Sequence, residues 1–137
     1  MDQKAINAAV VEKFRAGGEI EGMHRDRLLL LTTRGVSSGK ERVAPMMFHR
    51  DGDVLYVIAS NNGADNDPSW YRNLMQDARV IVEVGDERYD AIASTIRGAD
   101  RQRVWEAILR VAPFFADHQE KVKREIPVVA LNRVEGE

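Results

Sequence analysis

The chain has 137 residues, of which 44% are apolar and 31% are charged, and it carries a formal net charge of −2. This length and composition are typical of one soluble globular domain that spans residues 1–137. The absence of cysteine excludes disulfides, cysteine nucleophiles, iron–sulfur clusters and cysteine-bound zinc. The slight acidic surplus argues against nucleic acid as a partner, because phosphate backbones usually require a basic domain. Without a long apolar run or a signal-peptide core near its beginning, the chain is expected to be cytoplasmic.

The first predicted element is a helix over residues 2–16. Ile6, Val10 and Phe14 recur at every fourth position and form one apolar stripe. The glycine pair at 17–18 is a typical helix end. Docking of this stripe on the domain is favoured over contact with a membrane surface, because the polar face of the helix is not especially basic.

Strand patterns dominate the rest of the chain. Six segments are rich in apolar and β-branched residues, and most are separated by short turns. They are residues 27–33, 41–50, 54–60, 80–84, 87–96 and 126–131. Pro45 has no N–H to donate, so its strand is expected at a sheet edge or a bulge. The nearly continuous apolar run 54–60 is expected to be buried on both faces.

Three further helices are predicted between the strands. They are residues 67–76, 99–110 and 114–124. Asp67 and Pro68 are typical of a helix beginning, and Val104, Ile108 and Val111 share one face of the second helix. Antiparallel strands joined by short turns, with helices at the start, middle and end, favour a mainly β, α+β fold: a barrel with helical covers.

The turn at 35–39 carries two chemical interpretations. Its G-x-S-x-G spacing matches a nucleophile elbow, but that motif needs a helix after the turn, and a proline-containing strand follows here. Alternatively, Ser37, Ser38 and the turn's N–H groups can bind phosphate oxygens, with Lys40 and Arg42 adding positive charge. A solvent-exposed basic hairpin stays open as the other interpretation.

Metal chemistry is not predicted. His24, His49 and His118 are scattered and lack metal-binding spacing. Residues 65–67 resemble the start of a calcium loop but lack the glycine and the terminal glutamate that such a loop requires.

Two aromatic groups are candidates for either core or pocket. Trp70 and Tyr71 are adjacent on a predicted helix, so one can enter the core while the other faces a cleft. Residues 46–48 (Met-Met-Phe) are more often core than pocket. Phe115 and His118 lie with Phe114 on one side of a late helix, as a packed cover or an aromatic wall.

Four short motifs occur in an order and spacing that are similar to those of a known family. They are LTTRG at 31–35, SGKERVAP at 38–45, ASNNGA at 59–64 and DPSWYRNL at 67–74. Together they resemble the deazaflavin-dependent nitroreductase family, whose members use coenzyme F420. The resemblance implies a split β-barrel and the transfer of hydride from F420H2 to an electron-poor organic acceptor, such as a quinone, an enone or a nitro compound.

The same resemblance implies a set of site residues, with the coenzyme phosphate at the turn and the deazaflavin ring beside the segment after the strand 54–60. The implied coenzyme-binding residues are Ser37, Ser38, Gly39, Lys40, Arg42, Pro45, Ala59, Ser60, Asn61, Asn62, Gly63, Trp70, Tyr71 and Asn73. The acceptor would stack on the ring between Met47, Phe115 and His118, the implied substrate-binding residues.

Two residues are candidates for catalysis. Hydride transfer from a deazaflavin needs no side-chain nucleophile, which agrees with a sequence that offers no catalytic triad or metal set. Negative charge develops on the acceptor, so a nearby hydrogen-bond donor lowers the barrier. Ser60 is the first candidate because it lies in the implied ring-facing segment, and His118 is the second; water is an alternative proton source.

The sequence departs from the family pattern at positions that are usually basic. Residues 36–37 (Val-Ser) replace a basic pair, and Asn61 replaces a lysine. Arg34, Lys40 and Arg42 are the neighbouring cations that can compensate.

Alternatives to the F420 enzyme are an FMN-dependent oxidoreductase on the same barrel and a non-catalytic carrier of a coenzyme or a lipid. The expected partner is a small-molecule hydride acceptor. The chain is expected to be a monomer or a homodimer, with peripheral membrane contact by the first helix as an open possibility.

Overall fold

The computed structural model describes residues 3–17 and 25–134. In this part of the chain, seven strands form one antiparallel sheet. They are β1 (Leu28–Arg34), β2 (Glu41–Met47), β3 (His49–Asp51), β4 (Val54–Ile58), β5 (Arg79–Val84), β6 (Glu87–Ile96) and β7 (Val128–Arg133). The helices are α1 (Gln3–Arg15), α2 (Ser69–Gln76), α3 (Gly98–Val111) and α4 (Phe114–Glu120), with 3-10 turns at Arg25–Arg27 and Asn61–Gly63.

The sheet curls because its two edge strands are neighbours in sequence. The strand order is β2-β1-β5-β6-β7-β4-β3, and only Phe48 separates β2 from β3. One extended residue spans at most about 3.6 Å, so the two edges have to adjoin. Pro45 lies in the edge strand β2, opposite Leu30, as its missing N–H predicts. The resulting split β-barrel with helical covers confirms the expected fold class.

The second predicted strand is in fact two strands, so the sheet has seven strands where the sequence predicted six. β2 pairs with β1, beginning at Met47 opposite Leu28, whereas β3 pairs with β4 and places His49 opposite Tyr56. At the change of partner, the N–H of Phe48 donates to a carbonyl of the preceding 3-10 turn at 3.3 Å. The exchange of partner falls at Phe48 with no turn residue on either side of it, so the sequence carries no local signal for it.

The first helix docks on the barrel, as predicted. Val10 and Phe14 are buried and pack on the outer face of β1. At the end of α1, the Arg15 guanidinium donates to both carboxylate oxygens of Glu83 on β5 at 3.0 and 2.8 Å. This contact raises the pKa of Arg15 and holds the helix end against the sheet.

The end of α1 is only partly described. Gly17 follows the helix with a φ of 79°, the left-handed conformation that suits a helix end, whereas Gly18, the second glycine of the predicted stop, lies outside the described residues. Among residues 3–17 and 25–134, no helix has the length and apolar character that crossing a membrane would require.

Strand β1 carries the core on both of its faces. Leu29 and Leu31 point into the barrel, and Leu28 and Leu30 lie beneath α1. Side chains alternate along a strand, so four consecutive leucines serve two clusters at once. On the other side of the barrel, α3 and α4 cover β4 and β7 with Val104, Trp105, Ile108 and Phe115.

Three predicted details of the helices are wrong. No side-chain hydrogen bond caps α2, because the Asp67 carboxylate accepts a hydrogen bond from Arg124 instead. Helix α4 ends at Glu120, before the predicted end at Arg124, since the chain turns there and brings the Arg124 side chain to the loop before α2. Val111 is 63% exposed and does not share the buried face of α3.

Truncation of Leu29 tests how tightly the barrel interior is packed. Leu29→Ala is expected to lower the free energy of unfolding by about 2–5 kcal/mol, because a fully buried side chain is replaced by a cavity. Val111→Ala is the matched control and is expected to change it by less than about 0.5 kcal/mol. Urea unfolding measures both values, and similar losses in the two variants would contradict this packing.

Candidate active site

The candidate site is a cleft with two adjoining lobes. The turn lobe, about 430 Å³ in volume, lies between residues 35–38, the start of β2 and the beginning of α2. The apolar lobe, about 560 Å³, lies between the end of β2, the segment after β4 and helix α4. The lobes share the lining residues Asn7, Ala44, Ser69, Trp70 and Arg72. One elongated ligand can therefore occupy both.

Many of the predicted site residues meet in this cleft. Ser37, Ser38, Arg42 and Asn73 line the turn lobe, Pro45, Met47, Ser60, Asn61, Phe115 and His118 line the apolar lobe, and Trp70 lines both. Residues that are far apart in sequence are thus gathered by the curl of the sheet, by α2 and by α4.

The turn between β1 and β2 is closed by its own backbone. The N–H of Gly35 donates to the carbonyl of Lys40 at 2.8 Å, and the N–H of Gly39 donates back to the carbonyl of Gly35 at 2.9 Å. Gly39 has a φ of 70°, which favours glycine. A Cβ at Gly35 would lie 3.0 Å from the Ser38 Oγ, so this position has no room for a side chain.

Donor groups of this turn are left free to bind an anion. Among the described residues, nothing accepts a hydrogen bond from the N–H of Ser37 or Ser38. The Ser38 Oγ accepts from the N–H of Lys40 at 3.2 Å, which leaves its own O–H to donate. Two consecutive unpaired N–H groups at a turn form a concave anion site, and the Arg42 side chain lies beside it.

Asn73 anchors the turn from helix α2. Its Oδ1 accepts from the N–H of Val36 at 3.2 Å, and its Nδ2 donates to the Thr33 Oγ1 at 3.1 Å. Asn73 is buried, so these hydrogen bonds are shielded from water. The residue was predicted as a coenzyme ligand, and the structure places its amide where it fixes the shape of the turn.

The apolar lobe is built mainly from Pro45, Met46, Met47, Ile58, Trp70, Phe114 and Phe115. Polar residues also line this lobe: Asn7, Ser60, Asn61, Asn66, Asp67, Ser69, Arg72 and His118. Ser60 is 6% exposed, and among the described residues no hydrogen bond holds its hydroxyl. The ring of His118 packs edge-on against Phe114 and Phe115. The His118 Nδ1 is buried without a partner in the described part of the chain, so a ligand can be contacted only by the rest of the ring.

Asn61 has a left-handed backbone conformation, which asparagine adopts more readily than most residues other than glycine. Its φ is 50°, a left-handed value that is rare outside glycine and that clusters at functional sites. The Asn61 Nδ2 donates to the carbonyl of Asn66 at 3.1 Å and so ties the two ends of a short loop. The loop thereby keeps a fixed edge at the apolar lobe.

One arginine, Arg124, holds the loop of residues 59–67 in place by hydrogen bonds. The Arg124 guanidinium donates to the carbonyls of Ala59, Ser60 and Ala64 at 3.2, 3.0 and 3.2 Å, and to the Asp67 carboxylate at 2.8 Å. Five donors in a rigid plane make arginine suited to several fixed acceptors. The loop 59–67 is therefore shaped by one side chain from outside it.

The backbone of Arg124 is fixed in turn by Gln119 of α4. The Gln119 side chain donates to the carbonyl of Arg124 at 2.7 Å and accepts from the N–H of Ile126 at 2.9 Å. Helix α4, which carries Phe115 and His118, is thus linked to the loop 59–67 through Arg124.

Several predicted coenzyme ligands do not line either lobe: Gly39, Lys40, Ala59, Gly63 and Tyr71. The Tyr71 hydroxyl lies 2.9 Å from the Thr95 Oγ1 on β6, and the residue belongs to the barrel core. Ala59 is fully buried. Gly63, with a φ of 81°, allows close approach of α4, since a Cβ there would lie 3.5 Å from the Cα of His118. The side chain of Asn62 lies outside the described residues.

Sequence reasoning missed Asn7, Arg72 and Arg124 as contributors to the cleft. Arg72 stands between Tyr71 and Asn73 in a motif that the sequence analysis used, so its place in the motif was a signal. No sequence signal marked Arg124, because the carbonyls to which it donates lie about 60 positions earlier in the chain. Asn7 reaches the cleft only because α1 docks beside β2.

Comparisons with known proteins agree with this architecture. The family model described as F420H(2)-dependent quinone reductase matches residues 4–133. An F420H(2)-dependent quinone reductase of Mycobacterium tuberculosis is 32% identical over 108 residues, which are 77% of this chain and 72% of the relative. The solved structure of the F420-H2 dependent reductase FDR-A is 32% identical, with a TM-score of 0.73, over 81% of this chain and 100% of that one.

Two further solved structures share the fold. A protein described as a domain-swapped dimer is 30% identical, with a TM-score of 0.75, over 91% of this chain and 96% of that one. HutZ, a heme storage protein from Vibrio cholerae, is 16% identical, with a TM-score of 0.64, over 93% of this chain and 90% of its own, and this likeness shows the fold alone.

Fold, cleft and relatives together define a split-barrel oxidoreductase of the class that uses coenzyme F420. The chain belongs to the F420H(2)-dependent quinone reductase family. The resemblance seen in the four sequence motifs is thereby confirmed.

Replacement of Arg124 separates loop positioning from general stability. Arg124→Lys keeps the charge but loses the planar donor set, and it is expected to lower the free energy of unfolding by about 1–3 kcal/mol. Release of the loop 59–67 is expected to raise the Kd for F420 about tenfold, equivalent to about 1.4 kcal/mol.

Arg101→Lys is the matched control for this variant. Arg101 is buried, donates to the carbonyl of Ile126 at 2.6 Å and lies outside both lobes; its burial lowers its pKa. The Arg101→Lys variant is expected to have a lower free energy of unfolding and an unchanged Kd for F420. Urea unfolding and fluorescence titration give the two readouts, and an unchanged Kd in Arg124→Lys would refute the positioning role.

Proposed function

We propose that this protein holds F420H2 along the two-lobed cleft and passes its hydride to a quinone or another flat, electron-poor acceptor in the apolar lobe. The observation that carries the proposal is the continuity of an anion-binding turn with an apolar pocket. Each lobe matches one end of a coenzyme that joins a phosphate-bearing tail to a tricyclic ring. Membership in the F420H(2)-dependent quinone reductase family supports the choice of coenzyme and of acceptor class.

The turn lobe is assigned to the phosphate. The free N–H groups of Ser37 and Ser38, their hydroxyls and the guanidinium of Arg42 are the donors that would hold it. Hydrogen bonds between a charged group and its partner are worth about 1.5–3 kcal/mol each. The clamp by Asn73 keeps these donors in place before the ligand arrives, which lowers the ordering cost of binding.

The apolar lobe is assigned to the ring and to the acceptor above it. Its volume of about 560 Å³ lies within the range of small-molecule pockets. Pro45, Ser60 and Trp70 would contact the ring, while Met47, Phe115 and His118 would enclose the acceptor. Stacking of the acceptor on the ring would bring the reacting atoms to the separation of about 3–3.5 Å that hydride transfer requires.

The bound coenzyme supplies the hydride, and the side chains of the chain supply placement and charge stabilisation. Ser60, whose hydroxyl is not committed elsewhere, would donate a hydrogen bond to the acceptor oxygen as negative charge grows on it. His118 is the second donor: because its Nδ1 is buried, Nε2 is the ring nitrogen that could reach the acceptor. The two residues approach the lobe from the loop after β4 and from α4.

The cellular setting is part of the proposal. Val10 and Phe14 of α1 are buried on the barrel, so the apolar face of this helix is not available to a membrane surface. We therefore place the reaction in the cytoplasm. A homodimer is proposed over a monomer on the strength of the dimeric relative, and light scattering of the purified protein tests it.

Titration with two coenzymes tests the proposed function. The purified protein is expected to bind F420 at least about tenfold more tightly than FMN, a difference of about 1.4 kcal/mol, and to reduce quinones when F420H2 is supplied. Coenzyme fluorescence measures both affinities. Tighter binding of FMN would refute the coenzyme assignment, and tight F420 binding without reduction of a quinone, enone or nitro panel would point to a carrier.

Ser60→Ala tests the proposed donor. The turnover number is expected to fall up to about 100-fold, at the lower end of what the loss of an oxyanion donor costs, while the Kd for F420 stays within about twofold. Ser94→Ala on β6, an exposed serine outside the cleft, is the matched control. Steady-state assays with a quinone measure the change, and an unaltered turnover number would remove Ser60 from the mechanism.

A further inference from the structure

Two of the arginines that lack a carboxylate partner in the described part of the chain line the cleft, whereas the others, Arg27, Arg50, Arg97 and Arg110, lie outside both lobes. Within the described residues, the arginines with a carboxylate within 4.0 Å are Arg15, Arg34, Arg79, Arg88, Arg101, Arg103, Arg124 and Arg133. Arg42 and Arg72 have no such acidic neighbour there, and both line the turn lobe. Two cations without counter-charges that face one cavity indicate that an anion completes the site.

Arg72 lies where the turn lobe and the apolar lobe meet, a place called the seam below. It lies on α2 and lines both the turn lobe and the apolar lobe. Its Nη1 donates to the carbonyl of Asp67 at 2.7 Å. This bond orients the guanidinium and occupies one of its five N–H donors. The remaining donors are available at the point where a ligand passes from one lobe to the other.

We propose that Arg72 is a second cationic ligand of the coenzyme phosphate, which it contacts from the α2 side while the turn and Arg42 contact it from the β2 side. The inference rests on the proposed function. With the ring in the apolar lobe and the phosphate at the turn, the first anionic group beyond the ring lies next to the seam. A guanidinium there forms the short, directional hydrogen bonds that phosphate oxygens favour.

This assignment also accounts for the composition of the turn. The apex residues Val36 and Ser37 bring no positive charge, and Lys40 does not line the cleft. Arg72 would supply positive charge from the opposite wall, so that the phosphate site would have two cations, Arg42 and Arg72.

Asp67 connects Arg72 to the loop 59–67 beside the apolar lobe. Its main-chain carbonyl accepts from Arg72 at 2.7 Å, and its carboxylate accepts from Arg124 at 2.8 Å. The loop that would carry the ring-facing Ser60 and the arginine that would hold the phosphate therefore share one residue. Asp67 would therefore hold the residues that contact the ring at a fixed distance from the arginine that contacts the phosphate.

Three probes test the proposal: F420, the 5′-monophosphate of the ribityl-deazaflavin and the phosphate-free ribityl-deazaflavin. Arg72→Gln removes the charge and keeps a polar side chain of moderate length. It is expected to raise the Kd for F420 and for the monophosphate about 10- to 100-fold, and to leave the Kd of the phosphate-free ribityl-deazaflavin within about twofold. Fluorescence titration gives the affinities, and thermal unfolding verifies that the variant is folded.

Arg110→Gln is the matched control, because Arg110 is exposed on α3 outside both lobes; all three of its affinities are expected to match the wild-type protein. Equal losses for all three probes in Arg72→Gln, or a loss confined to full-length F420, would overturn the assignment to phosphate. Wild-type protein that binds F420 no better than the phosphate-free ribityl-deazaflavin would refute the proposed function itself. If wild-type protein prefers F420 and Arg72→Gln keeps that preference, only the role of Arg72 fails.

Discussion

The guanidinium of Arg124 gathers the carbonyls of Ala59, Ser60 and Ala64 and the carboxylate of Asp67 around one plane. A loop that leaves a buried strand and makes no regular ladder has carbonyl groups that need donors. The Arg124 guanidinium supplies donors to three of them and so holds the loop in one shape beneath the pocket.

In the turn lobe, at the other end of the cleft, one residue likewise fixes the shape of a loop while other residues face the cavity. Asn73 uses both ends of its amide to hold the hairpin, which frees the N–H groups of Ser37 and Ser38 from any structural duty. Sites of this kind separate the residues that shape a loop from those that touch its ligand. Arg124 and Asn73 are the shaping residues of this chain, and both lie outside the loops that they shape.

The sequence predicted elements with local signals and missed those set by distant contacts. The sequence predicted short turns between the strand segments 41–50 and 54–60 and between 80–84 and 87–96, and the structure has a hairpin at each place. The change of partner at Phe48 has no such signal, since both halves of the run are strand-like and the partners lie elsewhere in the chain. The same limit explains why α4 was predicted too long.

For the cleft, motif order predicted which segments converge, whereas the role of each residue needed three dimensions. Trp70 and Tyr71 are adjacent, and only packing decides that Trp70 lines the cleft while Tyr71 bonds to Thr95. Arg124 reads as an ordinary surface charge after a helix, because nothing local marks a cation whose acceptors are remote. Composition and spacing can identify the residues of a site, but the role of each residue depends on how it packs in the fold.

The seating of α1 on β1 has a consequence for how this enzyme class can diversify. Asn7 and Val10 form part of the cleft wall, yet they belong to a helix outside the barrel that is held by the leucines beneath it and by the pair of Arg15 with Glu83. Substitution of Asn7, which lines both lobes but does not belong to the buried cluster of α1 and β1, would change the wall of the proposed acceptor site while the strand pairing stays intact. The shape of that wall is thereby separated from the packing of the scaffold.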